Sequence, residues 1–378
     1  MSRKQGKRRH GFLMALAIII IIAIGGYFFL VTHTQIIVGA VQKLSQGTVN
    51  TKNLFSPLGD PTEGVKENGQ YIMTEIKYSD VYPNSYLDIT YPNADKAEQR
   101  PTLIYFHGGG FFGGSKGVGD PLAGSDATAL LDDICAEGFN LVNIDYALVP
   151  EYHFPVPLIQ VNIAFQFLME HEDEYHLDMN HVVIMGSSAG AIMTSQLGSI
   201  ITNPAYAQLL EIEPALQPAQ VKALVIDDAP LDYEHFPLGT KVLVGNYIRG
   251  SIFVSKDEIR RYNNIGWIDA NYPPCVLLGS EYHADMRLMD TALTDASVRH
   301  ELVDPLAERG IEKPHCFVAS ERVDEVAKDA FDRMIAFIKS ELAEYKVANV
   351  LIQSPDFLLN ITIMVVKCWR RHNPAQQF

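Results

Sequence analysis

The 378-residue chain carries 30 Lys and Arg against 45 Asp and Glu, a formal net charge of −15. So acidic a balance argues against a nucleic-acid binder, which needs basic patches to neutralise phosphates. Hydrophobic residues make up 47% of the chain, too many for global disorder and enough for one large α/β domain with appendages or two small domains. Cys135, Cys275, Cys316 and Cys368 form no CxxC pair, so neither a zinc site nor a disulfide framework is expected, and Cys135 and Cys275 read as small buried hydrophobes.

The N-terminus divides into two parts. MSRKQGKRRH has five Lys or Arg and no acid, and GFLMALAIIIIIAIGGYFFLV at 11–31 has no charge. A run of about 20 apolar residues is long enough to span a bilayer as a helix. It ends in bulky YFFLVTHT rather than in an A-x-A cleavage site, which favours an uncleaved anchor over a signal peptide. The basic flank then stays cytoplasmic and the remainder faces outward, a single-pass signal anchor in the cell membrane. Residues 1–32 are therefore expected to be flank and anchor, and 33–70, with scattered Gly, Pro, Thr and Asn, a stalk leading into the domain.

From about residue 71 strand-like runs alternate with helical ones. YLDITYP and PTLIYFHG read as strands, DATALLDDICAEG as an amphipathic helix closed by Gly138, NLVNIDY as a strand and PLIQVNIAFQFLMEH as a helix. HVVIMG is a strand followed by the helix SAGAIMTSQLGSII; VKALVIDDAP and PPCVLLGSEYH are further strands. DEVAKDAFDRMIAFIKSELAEY is a long final helix. Such alternation implies βαβ units and a mostly parallel sheet flanked by helices over 71–345. Residues 231–270 break the rhythm and read as a small cap over the C-terminal edge of the sheet, where such folds place their sites. The tail at 346–378 contains VANVLIQSPDFLLNITIMVV (347–366); Pro355, Asp356 and Asn360 make it a costly span, and an interfacial or domain-packed segment is expected.

GSSAG at 186–190 fits G-x-S-x-G. An apolar strand precedes it and small residues open a helix after it, the context in which Ser188 becomes an exposed nucleophile on a strained turn; the alternative is a serine that merely caps the helix. YFHGGGFFGGS at 105–115 adds three consecutive glycines after a strand. They suit backbone N–H groups that must approach a ligand closely, as an oxyanion hole requires. A phosphate loop would instead show a Lys-Ser/Thr ending or spaced glycines.

HGGG at 107–110, DYALVPEYHFPVP at 145–157 and GSSAG together resemble the hormone-sensitive-lipase-like bacterial branch of the α/β-hydrolases, over about 80–340. The resemblance implies an α/β-hydrolase fold, no metal or organic cofactor, and oxyanion N–H groups from Gly109, Gly110 and Ala189. Ser187 stands where that family often has Asp, and Ala147 where it often has Arg.

In this fold the partners follow the nucleophile in the order acid, then His. Asp285, beyond the strand CVLLG, is at the family's usual place for the acid, with Glu281 and Asp290 as alternatives; Asp285 also reads as an ordinary first-turn helix acid. Of the later histidines, His300 falls in an expected surface helix (SVRHELVDPLAERG) and His372 in the tail, leaving His315 in GIEKPHCFVAS as base. The spacing is awkward, because Gly310 leaves no room for a full strand before His315. If HCFVAS were itself that strand, the histidine would be structural.

Two functions follow. One is a membrane-anchored serine carboxylesterase acting through Ser188, His315 and Asp285, on esters that the resemblance implies are short-acyl. Phe111, Phe112, Tyr146 and Tyr152 would line its acyl pocket or fill its core. The other is a hydrolase-fold binding module without a placed base. The position of the His315 ring relative to Ser188 separates them. A Cys316-based transferase lacks an activating environment.

Overall fold

The computed structural model describes residues 2–45, 47, 50–117 and 127–353, with side chains for 16–45, 47, 50–117 and 128–343. Most of the apolar segment at 347–366 lies outside the described residues.

The chain opens with helix α1 (Ser2–Thr32), which turns at His33 into α2 (Thr34–Leu44). Among the described residues no single helix is long and apolar enough to cross a membrane. Leu16–Thr32 and Thr34–Leu44 meet that test only as a pair, bent by 79°. The expected stalk is not free, for Val38 in α2 is 1% exposed and belongs to the main core.

Strands β1 (Glu63–Val65), β2 (Tyr71–Lys77), β3 (Tyr86–Tyr91) and β4 (Pro101–Phe106) come next, then α3 (Ala127–Ala136), β5 (Asn140–Ile144), α4 (Val156–Glu170) and β6 (Asp178–Ser187). Helices α5 (Ala189–Thr202) and α6 (Pro204–Leu210) precede β7 (Val221–Asp227). The region at 231–270 holds α7 (Leu238–Arg249) and α8 (Lys256–Tyr262). The chain continues through β8 (Cys275–Leu278), α9 (His283–Asp295), β9 (His300–Val303), α10 (Pro305–Arg309), α11 (Phe317–Ser320) and α12 (Glu325–Gln353).

The nine strands form one sheet in the order β1-β2-β3-β5-β4-β6-β7-β8-β9. From β5 to β9 every neighbouring pair is parallel, and the β1–β3 edge is antiparallel. Central strands are apolar on both faces because helices cover both. Side chains alternate between two cores. Ile104, Ile184, Leu224 and Leu277 face α4, α5 and α9; Leu103, Val183, Val225 and Val276 face α3, α11 and α12. Each buried aliphatic or Phe contributes about 1.5–3 kcal/mol relative to exposure.

Two local readings change. The stretch around His300 is not a helix throughout, since His300–Val303 is the last strand and only Pro305–Arg309 is helical. HCFVAS is not a strand either, but a turn running into the four-residue α11. His315 therefore sits in the loop after the last strand. The β9 residues pair with β8 in register (Cys275 with His300, Leu278 with Val303), and that tertiary pairing overrides the local helix-like composition.

Candidate active site

Ser188 stands between β6 and α5 at φ 55° and ψ −114°, a conformation rarely adopted by a side-chain-bearing residue. Its N–H donates to the Asp227 carbonyl (2.8 Å). The turn depends on close backbone crossings. A Cβ at Gly186 would lie 2.2 Å from Gly190, and one at Gly190 would lie 2.1 Å from the Phe106 carbonyl oxygen. Beneath it, the Tyr105 hydroxyl donates to Ser187 Oγ (3.1 Å) and Ser187 Oγ donates to Asp227 Oδ2 (2.8 Å), so the serine at 187 is tied into the sheet.

His315 reaches this turn. Its Nε2 is 2.8 Å from Ser188 Oγ and its Nδ1 is 2.6 Å from Asp228 Oδ2. With Nδ1–H donating to the carboxylate, Nε2 is left to accept from the serine hydroxyl. A surface module that had lost its base would leave this ring out of reach; here it is within hydrogen-bonding distance.

The carboxylate that meets His315 is that of Asp228, not the expected Asp285. Asp228 directly follows β7 at φ 60°. Besides His315 it accepts from Ser280 N (2.9 Å), Ser280 Oγ (2.6 Å), Glu281 N (3.1 Å) and Tyr282 N (2.8 Å). Burial pushes its carboxyl up, but the bonds from His315 and Ser280 outweigh burial and hold it below the usual carboxylate range. Asp285 lies in the first turn of α9 and points elsewhere: its Oδ1 accepts from Leu231 N (2.8 Å) and Asp232 N (2.7 Å), fixing the chain beyond β7. Burial raises its pKa, opposed by those two donors. Of the alternatives, Glu281 approaches His315 Nδ1 at 3.6 Å with its side chain 57% exposed, and Asp290 pairs with His300.

The glycine loop lies opposite. Gly109 and Gly110 have φ +104° and +58°, a region that favours glycine. Among the described residues the backbone N–H groups of Gly109, Gly110 and Ala189 donate to no turn, loop or side-chain acceptor. Gly110, Ala189, Ser188 and His315 line a common cleft of about 160 Å³, walled by Phe111, Ile192, Pro230, Leu243 and Val244. The cap thus supplies one wall through α7. His107 is 1% exposed and stacks on Tyr146, and burial drives its pKa down to about 4, so it props the loop as a neutral ring. Of the four expected aromatics Phe111 lines the cleft, Phe112 and Tyr146 are core residues, and Tyr152 packs edge-on against Tyr82.

A BD-FAE family model matches residues 87–288, more than half of the chain. The chain belongs to the BD-FAE family. Curated relatives of this BD-FAE chain include the esterase LipC of Mycobacterium tuberculosis, 24% identical over 147 residues (39% of this chain, 34% of the relative). An acetyl esterase of Salmonella paratyphi B is 29% identical over 114 residues (30% and 33%). The matches span about a third of the length of these relatives. Among solved structures, esterase B of Lactobacillus rhamnosis superposes with a TM-score of 0.62 at 16% identity, covering 76% of this chain and 90% of the other. A truncated carbohydrate esterase from gut microbiota superposes with a TM-score of 0.56 at 17% identity, covering 73% and 99%. At such identities the likeness carries the fold, which is that of the α/β-hydrolases.

The fold also gathers Asp228, His315 and Cys316, the last two beyond the matched residues, so that their ligand atoms lie within 4.8 Å of one another. The carboxylate and imidazole are already hydrogen-bonded to each other, which makes this a proton relay beside a buried thiol rather than an open chelate. Asp228 is the His315 partner that the sequence did not single out. Its signal was the second Asp of VKALVIDDAP, at the carboxyl end of a parallel strand next to the serine's own strand.

Proposed function

We propose that the protein is a membrane-anchored serine carboxylesterase that hydrolyses short-acyl esters. The observation that carries this reading is the unbroken relay from Ser188 through His315 to Asp228, at 2.8 and 2.6 Å, facing a glycine loop. Ser188 Oγ attacks the ester carbonyl carbon while His315 Nε2 takes its proton. The oxyanion is received by the N–H groups of Gly109, Gly110 and Ala189, at the positive end of α5. His315 then returns the proton to the departing alkoxide, and water releases the acyl group by the same steps in reverse. Asp228 holds the imidazole in the tautomer that can accept. The names of the relatives support ester chemistry, and a cleft of about 160 Å³ favours a small acyl group.

The test is hydrolysis of p-nitrophenyl acetate, butyrate and decanoate. The first two are expected to turn over well, with kcat/KM at least about tenfold lower for decanoate, since a closed wall disfavours each methylene that cannot enter. Leu243→Ala, which opens that wall, is expected to narrow the gap. Equal use of decanoate by the unaltered protein would remove the short-acyl assignment.

Anchoring belongs to the same proposal. Between Leu16 and Leu30 the side chains of α1 are apolar or small and mostly exposed, Ile21 at 68% and Ile22 at 67%, a surface that water disfavours and acyl chains accept. The protein should stay in the membrane fraction after a high-salt wash and be released by detergent. Release by salt alone would refute the anchor.

A further inference from the structure

Helix α2 has two unlike faces. Thr34, Val38 and Gln42, at i, i+4 and i+8, share the inner one. Thr34 Oγ1 donates to Asn246 Oδ1 (3.1 Å) and Thr34 N to the Gly250 carbonyl (3.0 Å), both at the end of cap helix α7. Gln42 Nε2 donates to the carbonyls of Phe112 (2.9 Å) and Val149 (2.8 Å), the first of these just beyond the glycine loop. The outer face carries Ile36, Ala40 and Leu44 with Lys43, all exposed, Ile36 at 45% and Leu44 at 87%. Beside the bend, Phe253 is 53% exposed; its ring lies 5.6 Å from that of Phe28, and Ile252 N–H donates to the Val31 carbonyl (3.1 Å).

We propose that α2 lies in the plane of the bilayer surface, with Ile36, Ala40, Leu44 and Phe253 sunk into the boundary between headgroups and acyl chains. The proposal rests on the anchor reading above. A spanning helix tilts by about 20°, so a helix bent 79° from it runs within about 30° of the membrane plane. In-plane amphipathic helices bury an apolar face about 5–10 Å into that boundary, with cations such as Lys43 at the rim. The outer face of α2 and Phe253 continue the exposed apolar surface of α1, which points to lipid rather than to a protein partner. Leu243, in the cleft wall, is seven residues from Gly250 at the bend, about 10 Å along a helix. The cleft is therefore held close to the bilayer, where amphiphilic esters concentrate, and the lipid-facing helix braces both the cap and the glycine loop.

The experiment uses the full chain in phosphatidylcholine nanodiscs containing a phosphatidylcholine with a diazirine near the ester end of its acyl chain. After irradiation, adducts are mapped by peptide mass spectrometry. Expected are adducts on α1, on the outer face of α2 and at Phe253. Ile36→Glu with Leu44→Glu should remove those on α2, while p-nitrophenyl acetate turnover in detergent stays within about twofold. Adducts on α1 with none on 36–44 or at 253 would overturn the proposal and leave the anchor standing. Absence of adducts from α1 as well would overturn both. None of these outcomes bears on Ser188 chemistry, which the detergent assay reads separately.

Discussion

Ser188→Ala is expected to lower kcat for p-nitrophenyl butyrate by about 10⁶, to a residue of about 10³–10⁴ over the uncatalysed rate left by the oxyanion donors and binding alone. The loss is large because no other hydroxyl can replace Oγ at His315 Nε2; the neighbouring Ser187 hydroxyl is directed to Asp227 beneath the turn. The substitution removes only the oxygen. The Cβ is already accommodated at φ 55°, and Gly186 and Gly190 keep the crossing open, so the variant should fold. Unchanged circular dichroism and melting temperature would verify this. A second readout isolates the chemistry: a p-nitrophenyl phosphonate should release one equivalent of nitrophenol from the unaltered protein as it bonds to Ser188 Oγ, and none from Ser188→Ala. Turnover at a tenth or more of the original rate, about 1.4 kcal/mol of barrier, would sink the assignment of the nucleophile.

What the sequence made legible was local. The serine turn and the glycine loop each lie within one strand-turn-helix or strand-turn unit, and their glycines record backbone crossings that any other residue would obstruct. The alternation of strands and helices likewise carries the parallel sheet, because strands covered on both faces must be apolar throughout. The histidine was legible by order along the chain, but its setting was not. The last strand is only four residues, His300–Val303, and holds a His and a Glu, so composition argues for helix where pairing with β8 makes strand. The acid was illegible for a different reason. Asp228 and Asp285 both stand beyond parallel strands that lie side by side, and nothing local says which leans toward the His315 loop. The decision rests on the left-handed turn at Asp228, a conformation that Asp tolerates, and on the N–H groups of Ser280, Glu281 and Tyr282 that close around it from the next strand's end. α2 was read as stalk because Gly, Pro, Thr and Asn scattered over 33–70 weaken the periodicity there, whereas its Thr34, Val38 and Gln42 meet the domain.

Asp228→Asn is expected to cost about 10⁴ in kcat, against less than about fivefold for Asp285→Asn, the rate equivalent of ~1 kcal/mol. In the first variant the amide oxygen can keep the Ser280 and Tyr282 N–H groups that face Oδ1. The amide NH₂ then occupies the place of Oδ2, where Glu281 N–H and His315 Nδ1–H both arrive as donors. The Ser280 hydroxyl, 2.6 Å from Oδ2, can turn to accept from the amide, but Glu281 N–H and His315 Nδ1–H are left with no acceptor. The imidazole relieves this by shifting its proton to Nε2, and in that tautomer it cannot take the Ser188 proton. Glu281, 3.6 Å from Nδ1, offers a second carboxylate, so Asp228→Asn with Glu281→Gln should fall further than Asp228→Asn alone. Asp285→Asn changes little, because an amide oxygen can still accept from Leu231 N and Asp232 N, and its other atom has no bond to the relay. Measured as kcat on p-nitrophenyl butyrate, the contrast separates the two carboxylates. A crippled Asp285→Asn beside a nearly intact Asp228→Asn would return the role to the position that the sequence order favours.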